Sequence, residues 1–192
     1  MKKKTRRFLA AFLVFLLSGI LLCGFDSQGQ KVYDDAGLLS EEEQEELQDM
    51  LVAAAEDAEQ DMIVVTTADS GGKSPQSYAD DFYDSHGFGY EKENGSGVLL
   101  LIDMDNREIY ISTAGTAIEE YTDAEIEDTL DAVIGSVQSE EYGEACRIFA
   151  AEARTALMGG DSAVNGYYDQ EEGRFVTREE VPEWKEALAP EK

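Results

Sequence analysis

The sequence predicts an α/β fold built on a small mixed sheet, and three observations lead to this prediction. An unbroken aliphatic run, Val98–Ile102, lies between glycines and aspartates, which is typical of a strand buried on both faces. The segment Arg107–Thr113 alternates apolar and polar residues after an Asp/Asn-rich turn, which indicates an antiparallel hairpin. The β-branched run Met62–Thr67 precedes a helical segment and then the aliphatic run. A right-handed crossover should therefore make those two strands parallel.

The chain before the crossover predicts a short strand and a capped helix. Gln30–Asp34 is the candidate for the first strand. Ser40 with Glu43 fits a capping box, in which the two side chains satisfy backbone N–H groups at the helix start. Apolar residues then recur at helical spacing and form one stripe: Leu47, Met50, Leu51, Ala54 and Ala58.

The crossover helix is predicted to begin at Ser74-Pro75, with serine as the cap and proline at the first helical position. Its inner side is aromatic at Tyr78, Phe82 and Tyr83. Because this helix should end near His86, the chain then has room to return to the strand that begins at Val98.

Two more helices are predicted after the hairpin. Thr122 with Glu125 is a second capping box, and Ile126, Leu130, Val133, Ile134 and Val137 form the stripe that follows it. The last helix is expected to start at Ser139 or Glu140 and to end before Gly159-Gly160.

One core is expected to collect the apolar residues of the strands and helices. The strands contribute Ile63, Val65, Val98, Leu100, Ile102, Ile109 and Ile111, and the helices Leu47, Leu51, Ile126 and Phe149. Cys146 lies in the same helical pattern as Phe149 and is expected to be a small core residue, with no intrachain disulfide framework around it.

Charge separates the amino terminus from the rest of the chain. The formal net charge is −27, from 42 acidic and 15 basic residues. Five of the basic residues precede Asp26, the first acidic residue, so the remainder carries 10 basic against 42 acidic residues, about −32. Such a surface repels nucleic acids and anionic lipid headgroups, and it attracts divalent cations.

The chain divides into four predicted segments. Residues 1–24 have a basic start and a mostly apolar run, Phe8–Leu22, which is the layout of a signal peptide or an uncleaved membrane anchor. Cys23 also leaves lipidation open. Residues 25–30 form a linker, residues 31–158 the folded domain, and residues 159–192 an acidic carboxyl-terminal tail outside the core. The domain is therefore expected to be extracytoplasmic, either secreted or anchored to the cytoplasmic membrane.

Several segments together resemble the TPM domain family in order and spacing. They are Val32–Ser40, Tyr78–Tyr83, Asn94–Leu101, Arg107–Gly115, Tyr121–Asp123 and Glu141–Tyr142. The resemblance implies a three-layer, Rossmann-like α/β/α sandwich around a small mixed sheet, outside the bacterial cytoplasm or in the thylakoid lumen. It also implies the activities assigned to family members: calcium binding, weak acid phosphatase activity, and roles in the repair or assembly of membrane complexes.

Oxygen ligands are abundant, so calcium or magnesium is the metal chemistry that the sequence supports. A first candidate metal site combines carboxylates expected at the carboxyl edge of the sheet, where ligands often bind in such folds: Asp34, Asp35, Asp69, Asp103 and Asp105. A rival set is expected at the opposite edge: Asn94, together with Glu119 and Glu120 in a predicted loop after Gly115, and Asp123 in the first turn of the next helix. For both sets the alternative is ordinary turn and cap chemistry.

Other chemistry is excluded or weakly indicated. Gly71-Gly72-Lys73-Ser74 lacks the upstream glycine of a phosphate-binding loop, so no nucleotide cofactor is expected. The single histidine, His86, lies at a predicted helix end, where it either complements the helix dipole or acts in catalysis. Cys/His zinc sites are excluded by the number of those residues.

Three functions stay open at this point. The first is an accessory or binding module of the cell envelope that takes a divalent cation, with an envelope or membrane protein as its partner. The second is a weak, metal-assisted acid phosphatase. The third is a purely structural interaction domain. A thermal-shift titration with calcium separates the first two from the third, and phosphate-ester hydrolysis with a chelator control separates the second from the first.

Overall fold

A computed structural model describes residues 29–159 and 167–176. The predicted targeting segment and most of the linker and tail lie outside these ranges. The elements are β1 (Val32–Asp34), α1 (Glu41–Ala58), β2 (Asp61–Thr67), α2 (Pro75–His86), β3 (Gly97–Asp103), β4 (Glu108–Ala114), α3 (Ala117–Glu120), α4 (Asp123–Gln138), α5 (Tyr142–Leu157), β5 (Tyr167–Asp169) and β6 (Arg174–Val176). Within the described ranges, no helix combines the length and hydropathy needed to cross a membrane.

The main sheet has the strand order β1-β2-β3-β4 and is mixed, as predicted. β1, β2 and β3 run parallel, and β4 pairs antiparallel with β3. In this register Leu100 of β3 lies between Val64 of β2 and Ile111 of β4. Every residue of β2 and β3 is buried, which is why both strands read as nearly continuous apolar runs.

Helices cover both faces of this sheet. On one face, α1, α4 and α5 pack onto Met62, Val64, Val98, Leu100 and Ile102. On the other face, α2 packs through Ala79 and Tyr83 onto Ile63, Val65, Leu99 and Leu101. The two faces make the three-layer α/β/α arrangement that the family resemblance implied.

The expectation of a single core is wrong, because the sheet divides the apolar residues into two clusters. Ile63 and Val65 belong to the cluster under α2, whereas Val98, Leu100 and Ile102 face α1 and α5. Successive side chains of a strand point to opposite faces. Where a strand is apolar on both faces, its sequence carries no signal for which of the two alternating sets of side chains faces which helices.

Both predicted capping boxes are present. In the first, the Ser40 N–H donates to Glu43 Oε2 at 2.9 Å, and the Glu43 N–H donates to Ser40 Oγ at 3.3 Å. The Glu43 carboxylate also accepts the Ser40 hydroxyl at 2.8 Å, and the hydrogen bonds from the Ser40 N–H and then from this hydroxyl lower the pKa of Glu43. Thr122 and Glu125 repeat the arrangement at the start of α4.

Two helical features differ from the expectations. The four-residue helix α3 occupies the segment that the sequence presented as a loop after Gly115. Helix α5 begins at Tyr142 rather than at Ser139 or Glu140. Glu140 has a φ of 60°, a left-handed conformation that cannot belong to a right-handed helix.

Part of the predicted tail contributes to the core, which differs from the expected domain boundary at residue 158. β5 and β6 form a two-stranded antiparallel hairpin, and Phe175 and Val176 are each only 6% exposed. The Arg154 guanidinium lies 4.4 Å from the centre of the Phe175 ring and 2.6 Å from Asp57 Oδ2. The hairpin therefore covers the surface formed by α1 and α5.

Candidate functional site

The first set of predicted site residues lies at the carboxyl edge of the sheet. Asp34 ends β1, Asp69 follows β2, and Asp103 ends β3. Because β1, β2 and β3 are parallel, their carboxyl ends share this edge. The residues therefore lie along the edge where the sequence placed them, and their hydrogen bonds show what each carboxylate does there.

Asp103 holds the turn between β3 and β4. Its Oδ1 atom accepts the backbone N–H groups of Asp105 and Asn106, both at 3.0 Å, and its Oδ2 atom accepts Asn106 Nδ2 at 2.7 Å. The residue is only 1% exposed. A buried carboxylate with three N–H donors is satisfied within the fold.

Asp105 ties this turn to the loop between β2 and α2. Its Oδ2 atom accepts the Ser70 hydroxyl at 2.7 Å and the Ser70 N–H at 3.2 Å. Asn106 Nδ2 lies 3.1 Å from both Ser70 Oγ and the Lys73 carbonyl oxygen. Asp69 Oδ1 accepts the Gly71 N–H at 2.9 Å. The two loops are thereby fixed relative to each other.

Asp34 forms a separate network at the end of β1. Its two carboxylate oxygens accept the N–H groups of Leu38 at 3.0 Å and Leu39 at 2.9 Å, and the hydroxyl of Thr66 donates to Oδ1. This carboxylate shapes the loop before α1. The neighbouring Asp35 has an exposed side chain.

The predicted carboxylates do not converge on one point. Within residues 29–159 and 167–176, no group of three or more His, Cys, Asp or Glu side chains is arranged to hold a metal ion. The oxygens of Asp34 and Asp103 accept hydrogen bonds from the chain, which orient these carboxylates toward their own loops. The described residues therefore do not fit calcium as a preformed cage.

The rival residues lie at the opposite edge of the sheet. Asn94 precedes β3, Glu119 lies in α3, and Asp123 is the first residue of α4. Gln60 is a buried polar residue at this edge that sequence reasoning missed. Its Nε2 atom donates to Thr116 Oγ1 at 2.7 Å and to Glu120 Oε2 at 2.6 Å, while its buried Oε1 atom has no partner within the described chain.

A cavity of about 490 Å³ opens beside the β3–β4 turn at the carboxyl edge. Three parts of the chain line it: the end of β3 with the turn and the start of β4, the end of α4, and the start of α5. The residues are Ile102, Asp103, Met104, Arg107, Glu108, Ile109, Ile134, Val137, Gln138 and Tyr142. Ile134 is 37% exposed there. Apart from Asp103, sequence reasoning named none of these as site residues, because their convergence depends on how α4 and α5 pack.

His86 belongs to an aromatic stack rather than to a group of catalytic residues. Its ring stacks on Phe82 at 4.0 Å and on Phe88 at 5.2 Å between centroids. Its Nδ1 atom lies 2.8 Å from the Phe82 carbonyl oxygen, so this nitrogen donates the hydrogen bond. Cys146 is fully buried, as expected, and burial raises the pKa of its thiol to about 12, which keeps it protonated and unreactive.

The architecture is similar to that of three solved structures. The amino-terminal domain of a protein from P. gingivalis superposes with a TM-score of 0.60 at 24% identity, over 70% of this chain and 85% of that domain. The amino-terminal domain of the cg2496 protein from Corynebacterium glutamicum gives 0.54 at 17% identity, over 75% and 88%. The BA42 protein from Bizionia argentinensis gives 0.55 at 13% identity, over 74% and 88%. At these identities the likeness concerns the fold.

Sequence comparison finds a relative and a family model that match this chain. The chain is 31% identical over 137 residues to the UPF0603 protein YdjH from Bacillus subtilis, a match that covers 71% of this chain. The chain spans about half the length of that relative, 52%. The model of the TPM domain matches residues 32–156, which include β1 and all but the last residue of α5. The chain therefore belongs to the TPM domain family.

Proposed function

We propose that this protein is an exported or membrane-anchored accessory protein of the cell envelope, which binds a partner through the carboxyl edge of its sheet. The observation that carries the proposal is the 490 Å³ cavity beside the β3–β4 turn. Its wall is held in place by hydrogen bonds between the turn and the β2–α2 loop. A preformed cavity with a mixed apolar and polar lining suits binding.

The electrostatics narrow the class of partner. With a net charge of −27, the protein repels nucleic acids and anionic headgroups at long range. A protein of the envelope or membrane with a basic surface is therefore the partner class that we propose. The phosphatase alternative gains no comparable support, because His86 is held in an aromatic stack and the Asp103 carboxylate is buried and holds the β3–β4 turn through three N–H donors.

Export depends in this proposal on the apolar run Phe8–Leu22. Changing both Leu13 and Leu17 to arginine should abolish export, because each charge at the centre of a membrane-inserting segment costs about 2.5–3.5 kcal/mol. Fractionation of a bacterial host that expresses the tagged full chain measures this. The matched variant with isoleucine at both positions should be exported normally. Recovery of the unmodified chain as a soluble cytoplasmic protein would contradict the proposal.

Calcium binding is part of the proposal in a weak form. Because the described residues form no preformed cage, a cation would use the exposed carboxylates of Asp35 and Asp69 only after their loops rearrange. We therefore expect calcium to raise the melting temperature only at millimolar concentration, in proportion to occupancy of the folded state. A thermal-shift titration measures this, with sodium chloride at matched ionic strength as the control for screening.

Two sets of variants distinguish the candidate calcium site at the carboxyl edge of the sheet from the rival site at the opposite edge. Asp35→Asn together with Asp69→Asn should remove the calcium-dependent shift if the carboxyl edge is the site, whereas Asp123→Asn should remove it if the rival set is. Asp103 is unsuitable for this test, since its buried carboxylate holds the turn and its loss would destabilise the fold directly. If calcium and sodium chloride at matched ionic strength changed the melting temperature equally, the proposal that the protein binds calcium would be wrong.

A further inference from the structure

Strand β4 is an edge strand of the main sheet. Within the described residues it pairs with β3 on one side and with no strand on the other. Its seven residues pair one-to-one with β3, without a bulge. Proteins usually block such edges with prolines, lysines, bulges or very short strands. β4 contains no proline and no lysine, and Glu108 is its only charged residue.

The cavity at the carboxyl edge lies directly beside this strand. Ile109 of β4 lines it together with Ile134 and Val137 of α4 and Tyr142 of α5. An engineered apolar cavity of about 150 Å³ accommodates benzene, so a cavity of 490 Å³ has room for an aliphatic side chain and part of its neighbour. A strand added along β4 would direct every second side chain toward this face.

The helices beside β4 set the charge that an added strand would meet. Both α2 and α4 contact β4. α4 carries five acidic residues and α2 carries three, and neither helix contains a lysine or an arginine. Arg107 is the one cation in the cavity lining, and the eight carboxylates of the two helices outnumber it, so the local field favours a cationic segment. These carboxylates disfavour a second copy of this chain, which would bring the same acidic helices against each other.

We propose that β4 pairs with an extended, lysine- or arginine-containing segment of a partner protein, which places an aliphatic side chain in the cavity beside Ile134. This inference rests on the binding role proposed above and names the class of its partner. Recognition would combine main-chain hydrogen bonds along the strand edge with one side-chain pocket that sets the register.

The probe is an acetylated and amidated ten-residue peptide of alternating valine and lysine, added to the full chain. Hydrogen exchange should show protection at alternate amides of Glu108–Ala114. Ile134→Asn should weaken binding about tenfold, because it removes the apolar contact that the cavity offers to the peptide. The matched control is Ile118→Asn, at an isoleucine that is 61% exposed and does not line the cavity, and it should leave the affinity unchanged.

Two further peptides separate strand pairing from simple attraction between opposite charges. A valine–lysine peptide with an N-methyl group on every backbone amide keeps its charge but has no N–H to donate to β4 on either edge, so it should lose binding. A valine–glutamate peptide should not bind. The inference would be overturned if the methylated peptide bound as well as the unmethylated one, or if the Ile134→Asn variant bound the peptide as tightly as the wild-type protein. It would also be overturned if β4 gained no protection at millimolar peptide, or if the protein self-associated through β4 without peptide. Failed export would not affect this assay, whereas normal export without β4 protection removes only the strand pairing.

Discussion

Replacing Leu100 with alanine should lower the free energy of unfolding by about 2–5 kcal/mol. Leu100 is fully buried at the centre of β3, between Val64 and Ile111 on the neighbouring strands. Its side chain belongs to the cluster that α1, α4 and α5 cover, which includes Leu47 and Phe149. Because β3 is held by strands on both sides, the surroundings can collapse only partly into the space that the truncation leaves. Urea unfolding followed by circular dichroism measures the change.

An exposed aliphatic residue provides the comparison. Ile118 of α3 is 61% exposed, so Ile118→Ala should change the free energy of unfolding by no more than about 0.5 kcal/mol. Both variants should keep the slope of unfolding free energy against urea, since the surface exposed on unfolding is nearly the same. A near-neutral Leu100→Ala variant would mean that β3 is not the central buried strand.

The sequence predicted an element correctly where the residues that define it contact each other within a few positions of the chain. Capping boxes at Ser40 and Thr122 marked the starts of α1 and α4, because the side chains that define them bond backbone groups within three residues. The hairpin was predictable for the same reason, because the Asp103 side chain accepts hydrogen bonds from backbone N–H groups two and three residues later and so forms the turn. α3 carried no such signal, since its cap, Thr116, makes no side-chain capping hydrogen bond.

The site was less predictable than the fold, because residue type does not reveal what already satisfies a side chain. The sequence placed Asp34, Asp69 and Asp103 at one edge of the sheet, and they lie there. It could not show that backbone N–H groups and hydroxyls occupy the oxygens of Asp34 and Asp103. The cavity could not be predicted from the sequence either, since Ile109, Ile134 and Tyr142 come together only through tertiary packing.

No local sequence pattern signals a buried ion pair whose disruption at one partner should destabilise the fold strongly. Lys31 Nζ lies 2.6 Å from Asp61 Oδ1, and the two side chains are only 6% and 7% exposed. Asp61 Oδ2 also accepts the Gly89 N–H at 2.9 Å, while the Lys31 N–H donates to Gln48 Oε1 at 2.8 Å. The pair therefore joins the start of β2 to the segment before β1 and to the loop after α2.

Lys31→Met should destabilise the fold by about 3–5 kcal/mol, because it leaves the Asp61 carboxylate buried without its cation. The double variant Lys31→Met with Asp61→Asn should recover much of that loss, since it removes the charge and keeps an acceptor for the Gly89 N–H. Urea unfolding of the two single variants and the double variant gives the coupling energy between the two positions.

The surface pair Lys73–Asp81 is the matched control, with a similar distance of 2.8 Å but side chains that are 48% and 65% exposed. Water and salt screen such a pair, so Lys73→Met should cost less than about 1 kcal/mol, and that small effect should shrink further at high ionic strength. The effect of Lys31→Met should persist in salt, because solvent does not reach the buried carboxylate. If the Lys31 and Asp61 substitutions were simply additive, the close contact between them would contribute no coupling, and burial of the pair would not be what stabilises this end of the sheet.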